Sequence, residues 1–138
     1  MSTLEPSIHT GQCLCGGVRY EVRGTLRPII ACHCSLCRRT SGHFVAATGA
    51  PTSAITLTSA ETLVWYASSA HARRGFCNRC GGNLFWRPID TARDWTSIMA
   101  GTLDPPTDLA IERHIFVADK SDYYAIADGL PQRAAWHN

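Results

Sequence analysis

Cys77-Asn78-Arg79-Cys80-Gly81-Gly82 is the stretch on which the fold of this chain turns. Two thiolates three positions apart grip one metal ion from a single tight turn. The glycines just after them allow the positive φ that brings backbone amides up to the sulfurs. A tetrahedral structural zinc takes four ligands, so this pair calls for another. Cys13-Leu14-Cys15-Gly16-Gly17 has the same glycine ending with a one-residue gap. Together the two pairs, 62 positions apart from Cys15 to Cys77, complete a four-sulfur site that fastens the start of the chain to its middle. Closing so long a loop with metal constrains the unfolded chain. Tetrahedral sulfur suits iron as well as zinc, and spacing alone does not choose between them.

Between the pairs stands Cys32-His33-Cys34-Ser35-Leu36-Cys37-Arg38-Arg39. Cys34 and Cys37 form a second knuckle, and Cys32 enters from the preceding strand, so all three sulfurs reach one ion. Three protein ligands with one open position is the arrangement of a catalytic zinc. The competing reading is a second structural zinc closed by a histidine, with His33, His43, His71 and His114 as candidates. On residues alone the closed site is slightly favoured, because structural zincs are common in small domains. His33 is the weaker candidate, since neighbours on a strand face opposite sides. Arg38 and Arg39 lie directly beyond, placed to offset the charge of three thiolates or to hold an anionic group.

The remainder of the chain is compatible with a small soluble zinc domain. It has 138 residues, 45% hydrophobic and 17% charged, with thirteen Lys+Arg against eleven Asp+Glu and a net charge of +2. That balance gives no electrostatic reason for a nucleic-acid or anionic-membrane partner. No apolar run approaches the ~18 residues of a membrane span, and residues 1–10 lack the cationic and apolar regions of a signal peptide. The expected compartment is the cytoplasm, where thiols stay reduced. Seven cysteines cannot all pair within one chain, and one-residue gaps strain a disulfide.

Apolar periodicity is closer to two than to 3.6. Val18, Tyr20 and Val22 alternate with Arg19, Glu21 and Arg23, and Ile29-Ile30-Ala31 reads as a short buried strand. Further strands are expected at Phe44–Ala47, Ile55–Thr58, Leu63–Tyr66, Asn83–Arg87, Trp95–Met99 and Ile111–Val117, separated by Gly, Pro, Ser and Thr punctuation. One helical turn is expected after Cys34 and another at Ser121–Ile126, capped by Ser121. The fold class is therefore mostly β in a single domain over residues 9–133, with residues 1–8 and 134–138 as loose termini. Phe44, Trp65, Phe85 and Trp86 read as core. Glu61 and Asp104, at strand ends, read as solvated turn residues before they read as catalysts.

These residues resemble the GFA family, named for glutathione-dependent formaldehyde-activating enzyme, which shares its domain with the centromere protein V group. The resemblance runs from Gly11-Gln12-Cys13-Leu14-Cys15-Gly16-Gly17 through Cys32-His33-Cys34-Ser35-Leu36-Cys37 and Arg74-Gly75-Phe76-Cys77-Asn78-Arg79-Cys80-Gly81. It continues to Gly101-Thr102-Leu103-Asp104, His114-Ile115-Phe116 and Asp128-Gly129-Leu130-Pro131. It implies an Mss4-like fold of small twisted antiparallel sheets around zinc sites, with few short helical turns. It also implies two zincs per chain: a structural one on Cys13, Cys15, Cys77 and Cys80, and a catalytic one on Cys32, Cys34 and Cys37. The implied activity joins glutathione to formaldehyde to give S-hydroxymethylglutathione, formally a carbon–sulfur lyase run in reverse. Arg38, Arg39 and Arg74 would then anchor the carboxylates of glutathione or another small thiol. The alternative is a non-catalytic binding module in which both zincs are structural. The chromatin-binding role is disfavoured, because residues 1–10 carry no Lys or Arg. A sulfoxide reductase of related fold would need a free nucleophilic cysteine outside the metal sites.

Overall fold

The structure is a computed structural model that describes residues 7–136. Ten strands and one α-helix follow in the order β1 (Ile8–Gln12), β2 (Val18–Arg23), β3 (Ile29–Cys32), α1 (Ser35–Ser41), β4 (Val45–Ala50), β5 (Ile55–Ala60), β6 (Leu63–Ala67), β7 (Ala72–Cys77), β8 (Asn83–Pro88), β9 (Thr96–Met99) and β10 (Ile111–Ile115). Single turns of 3₁₀-helix lie at Thr52–Ala54, Ala100–Thr102 and Val117–Asp119. The chain is mostly β, as its period-two patterning predicts, and forms two sheets.

The smaller sheet has the order β1-β2-β5, the larger the order β10-β3-β4-β9-β8-β7-β6. All their pairings are antiparallel except β10 with β3, which is parallel, Ile115 lying opposite Cys32. The chain thus returns from its far end to line up beside the first sulfur of the three-cysteine cluster.

Alternation along the strands divides the apolar residues between two clusters. Val18, Tyr20 and Val22 of β2 are at most 1% exposed and pack with Leu84, Phe85, Ile98 and Leu103. Tyr20 meets Phe85 edge to face at 5.3 Å, a favoured aromatic geometry. On the other side Cys37, Val45, Ala47 and Met99 form a second cluster, with Cys32, Cys34 and Trp86 packed against it. Phe85 and Trp86 are neighbours on β8, so one ring enters each cluster. Trp86, expected in the core, accordingly forms a wall of the cavity described below.

The eight strands read from sequence all occur, and β1 and β7 are additional. The helical turn expected at Ser121–Ile126 does not form. A helix would splay Tyr123 and Tyr124 about 100° apart, whereas both rings lie against His43 here, at 5.5 and 4.8 Å. The Lys120 ammonium holds the segment by donating to the Ser121 carbonyl at 2.8 Å and to that of Tyr124. Of the tail expected to be loose, the carbonyls of Ala134 and Ala135 accept the N–H groups of Ala118 and Phe116. At the other end β1 already pairs from Ile8, opposite Arg23; residues 1–6 lie outside the described residues.

Candidate metal centres

Each cysteine pair sits where chain geometry brings its sulfurs into reach of the other. Cys13 follows β1 and precedes β2, Cys77 ends β7, and Cys80 occupies the turn into β8. Their sulfurs and that of Cys15 all lie within 4.8 Å of one another. The glycines behave as the sequence suggests: Gly16 has φ 78° and Gly81 φ 77°. A Cβ on Gly82 would stand 3.1 Å from the Cys13 Cβ and 3.3 Å from the Cys80 Sγ, so a side chain there would press the turn against both cysteines. The cluster links the smaller sheet to the larger.

The donors around these sulfurs fit thiolates. Cys77 Sγ accepts the Thr62 hydroxyl at 3.0 Å and the N–H groups of Cys80 and Arg79 at 3.3 and 3.4 Å. Against the burial that would raise it, these bonds bring the Cys77 thiol down to about 5. Arg79 Nε donates to Cys15 Sγ at 3.3 Å and lowers that thiol too. Cys13 is pushed up by burial, although the Val18 N–H donates to its sulfur at 3.4 Å. Four convergent sulfurs with amide and hydroxyl donors could hold one metal ion as thiolates.

The second centre is built by a strand end and a helix start. Cys32 ends β3, Cys34 caps the N-terminus of α1 with its sulfur accepting the Cys37 N–H at 3.2 Å, and Cys37 lies in the first turn. Gly42, at φ 82°, ends the helix with its N–H on the Arg38 carbonyl. The three sulfurs again lie within 4.8 Å of one another. Negative charge settles first on Cys34, lowered to about 2 by its bonds with Cys32 and Cys37. Cys37, despite the pull of its bond with Cys32, is pushed up to about 11 by Cys34 and by burial. Cys32 is raised by the same two neighbours.

No histidine joins this cluster among the described residues. His33 is fully buried but points away, bonding Tyr124 through Nδ1 at 2.5 Å and His114 Nδ1 through Nε2 at 2.9 Å. His114 continues the chain to Asp128 at 2.8 Å. His43 is engaged by Tyr123. His71 lines the cavity that the cluster faces without entering the ligand set.

That cavity, of about 550 Å³, opens beside Cys32, Cys34 and Cys37. Arg74, from β7, is 6% exposed in its wall. It reaches Ser68 Oγ at 3.2 Å and Cys37 Sγ at 3.8 Å. Arg38 and Arg39 lie outside the lining, Arg39 exposed and Arg38 half-buried on the helix. Glu61 and Asp104 are also elsewhere, Asp104 accepting the Thr10 hydroxyl at 2.6 Å. Sequence reasoning missed Arg27, just before β3, and Arg93 and Trp95 of the β8–β9 loop, all of which line the cavity. The run Arg93-Asp94-Trp95 carries no spacing that would single them out.

The family model for glutathione-dependent formaldehyde-activating enzyme matches residues 8–119. The chain belongs to the GFA family. A crystal structure of a Rhodobacter sphaeroides protein, a structural-genomics target, resembles it at a TM-score of 0.55 with 27% identity. The match covers 70% of this chain and 88% of that one. The GFA region takes in both cysteine clusters, every strand and α1.

Proposed function

We propose that the protein is a zinc-dependent carbon–sulfur lyase acting on a small thiol and its aldehyde adduct, with glutathione and S-hydroxymethylglutathione as the reference pair. Cys13, Cys15, Cys77 and Cys80 would hold a structural zinc, and Cys32, Cys34 and Cys37 a catalytic one. The observation that carries the reading is a three-sulfur cluster, with no histidine among its ligand atoms within the described residues, facing a cavity of about 550 Å³. When bound there, zinc supplies a Lewis acid for an oxygen and holds a thiol as its nucleophilic thiolate.

The chain's own residues supply the rest. Arg74 brings a fixed positive charge against Cys37 Sγ, which offsets the thiolates and keeps the site attractive to an anionic sulfur. Among the described lining residues, His71 carries an imidazole able to take and return a proton. In the cleavage direction it takes the proton of the adduct hydroxyl as the carbon–oxygen double bond forms. The carbon–sulfur bond breaks with its electron pair on sulfur, and in synthesis the same proton returns. Met99, Ile115 and Trp86 exclude water from the reacting carbon.

A reducing compartment such as the cytoplasm is the proposed setting, since all seven cysteines are unpaired; among the described residues no helix is long and apolar enough to cross a membrane. The rival reading, a binding module with two structural zincs, draws on the burial of Cys37 at 5% exposure. Metal analysis with calorimetry separates them. The lyase requires two zincs per chain and glutathione heat that grows with formaldehyde. One zinc per chain, or two without thiol binding, would overturn it.

A further inference from the structure

Across four strands one register row forms the floor of the cavity. Arg74 of β7 lies opposite Trp86 of β8, Trp86 opposite Ser97 of β9, and Ser97 opposite Gly49 of β4. Over Gly49 lies the Trp95 indole, so close that a Cβ there would fall 2.2 Å from its ring. The row sets the buried Arg74 beside Trp86, which packs with Cys32 and Cys34 against the cluster of Cys37, Val45, Ala47 and Met99, and it carries the Trp95 indole at its far end. Ile30, Val45, Met99, Ile115 and Phe116 extend the apolar wall.

Apart from the three sulfurs, charge in the lining has one sign. Arg27, Arg74 and Arg93 face the cavity, and among its described lining residues there is no Asp, Glu or Lys. Arg27 is committed to the Ala47 carbonyl at 2.9 Å and stacks on Trp95 at 5.2 Å, while Arg93 is exposed at the rim. Such walls favour a flat apolar body with one anionic group. They offer an ammonium no carboxylate partner, so one held away from the sulfurs would be desolvated without compensation. Glutathione carries an ammonium as well as two carboxylates.

Resting on the lyase reading above, we infer that the preferred substrate is an aryl-bearing or similarly flat apolar thiol with a single carboxylate, with Trp86 and Trp95 setting the specificity and Arg93 meeting the carboxylate. Glutathione is then a poor ligand of the same centre.

The test uses zinc-loaded protein and three probes in calorimetry: 3-phenyl-2-sulfanylpropanoate, benzyl mercaptan and glutathione. The phenyl carboxylate thiol should bind at least about tenfold more tightly than glutathione, a gap that burial of one ring readily supplies. Trp86→Ala should shrink that gap below about threefold by weakening the phenyl probe far more than glutathione, since the ring contact it removes serves the aryl group. Trp86→Leu, which keeps an apolar side chain on β8, should fall between. Arg93→Gln should weaken the carboxylate probe about threefold to tenfold and leave benzyl mercaptan unaltered. Equal or tighter glutathione binding overturns the inference. Cobalt-substituted protein separates the two levels: if the probes enter the metal's absorption band with equal affinity, only the specificity fails. If no thiol perturbs the band, the lyase reading falls with it.

Discussion

Cys80 and Cys34 are both knuckle sulfurs, yet they close very different things. Cys80 belongs to a set that joins two sheets across the chain, and a structural zinc site contributes ~10–16 kcal/mol in small zinc domains. Cys34 belongs to a set drawn from one strand end and the adjoining helix. Cys80→Ser should therefore unfold the domain, and Cys34→Ser should lose one zinc and keep the fold, read by far-UV circular dichroism and metal analysis. Equal unfolding by both would make the second centre structural. A second residue-scale prediction concerns Tyr20, 1% exposed and raised by burial to about 12. Thr102 Oγ1 donates to the Met99 carbonyl, so the Tyr20 hydroxyl donates to Thr102. A raised folded value gives stability that is complete below the unfolded value near 10 and is lost as pH rises through about 12. Tyr20→Phe should cost about 1 kcal/mol at neutral pH and flatten this part of the alkaline loss, seen in denaturant midpoints at successive pH values. Both centres were legible at this scale because ligand spacing is a local property. The cavity was not, since Trp86, Trp95, Arg27 and Arg93 converge only through strand register.

At the scale of elements, the strands that escaped the sequence reading have physical reasons. In β1, Ile8-His9-Thr10-Gly11-Gln12 has no apolar alternation, and only Gly11 is fully buried, fitted under the Tyr20 ring. β7 reads Ala72-Arg73-Arg74-Gly75, a charged run that looks like a loop. Its arginines are accommodated by an aromatic face and by the cavity: Arg73 stacks on Trp65 at 4.9 Å, and Arg74 lies beside the sulfurs. The expected turn at Ser121–Ile126 failed for the converse reason, because tertiary ring contacts with His43 outweigh a weak local preference. Glycine register makes a further prediction. Gly49→Ala would drive a Cβ into Trp95, which must move because the backbone carbonyl of Thr96 stands 2.9 Å away on the other side. Overpacking of this kind costs about 1–3 kcal/mol. Thermal denaturation should register that loss, accompanied by a change in Trp fluorescence.

For the molecule as a whole, the two centres differ in what they join, and metal removal should reveal it. The three-sulfur cluster is drawn from one strand end and the adjoining helix beside a cavity, while the four-sulfur cluster ties the smaller sheet to the larger. Graded chelator should take one zinc first with little loss of structure and the second only as the chain unfolds. A single step releasing both would contradict that order. Family and mostly β class were readable before any coordinates because both follow from cysteine order and alternation. The two-sheet arrangement was not, since it depends on which strands meet at long range.

The parallel pairing of β10 with β3 also orders events in time. A ribosome releases residue 80 before residue 111, so the inter-sheet clamp has all four sulfurs while the last strand is still unmade. Cys32, by contrast, gains its neighbour Ile115 only when synthesis is nearly finished. The four-sulfur cluster can therefore assemble during translation, whereas the three-sulfur cluster gains its last neighbouring strand only afterwards.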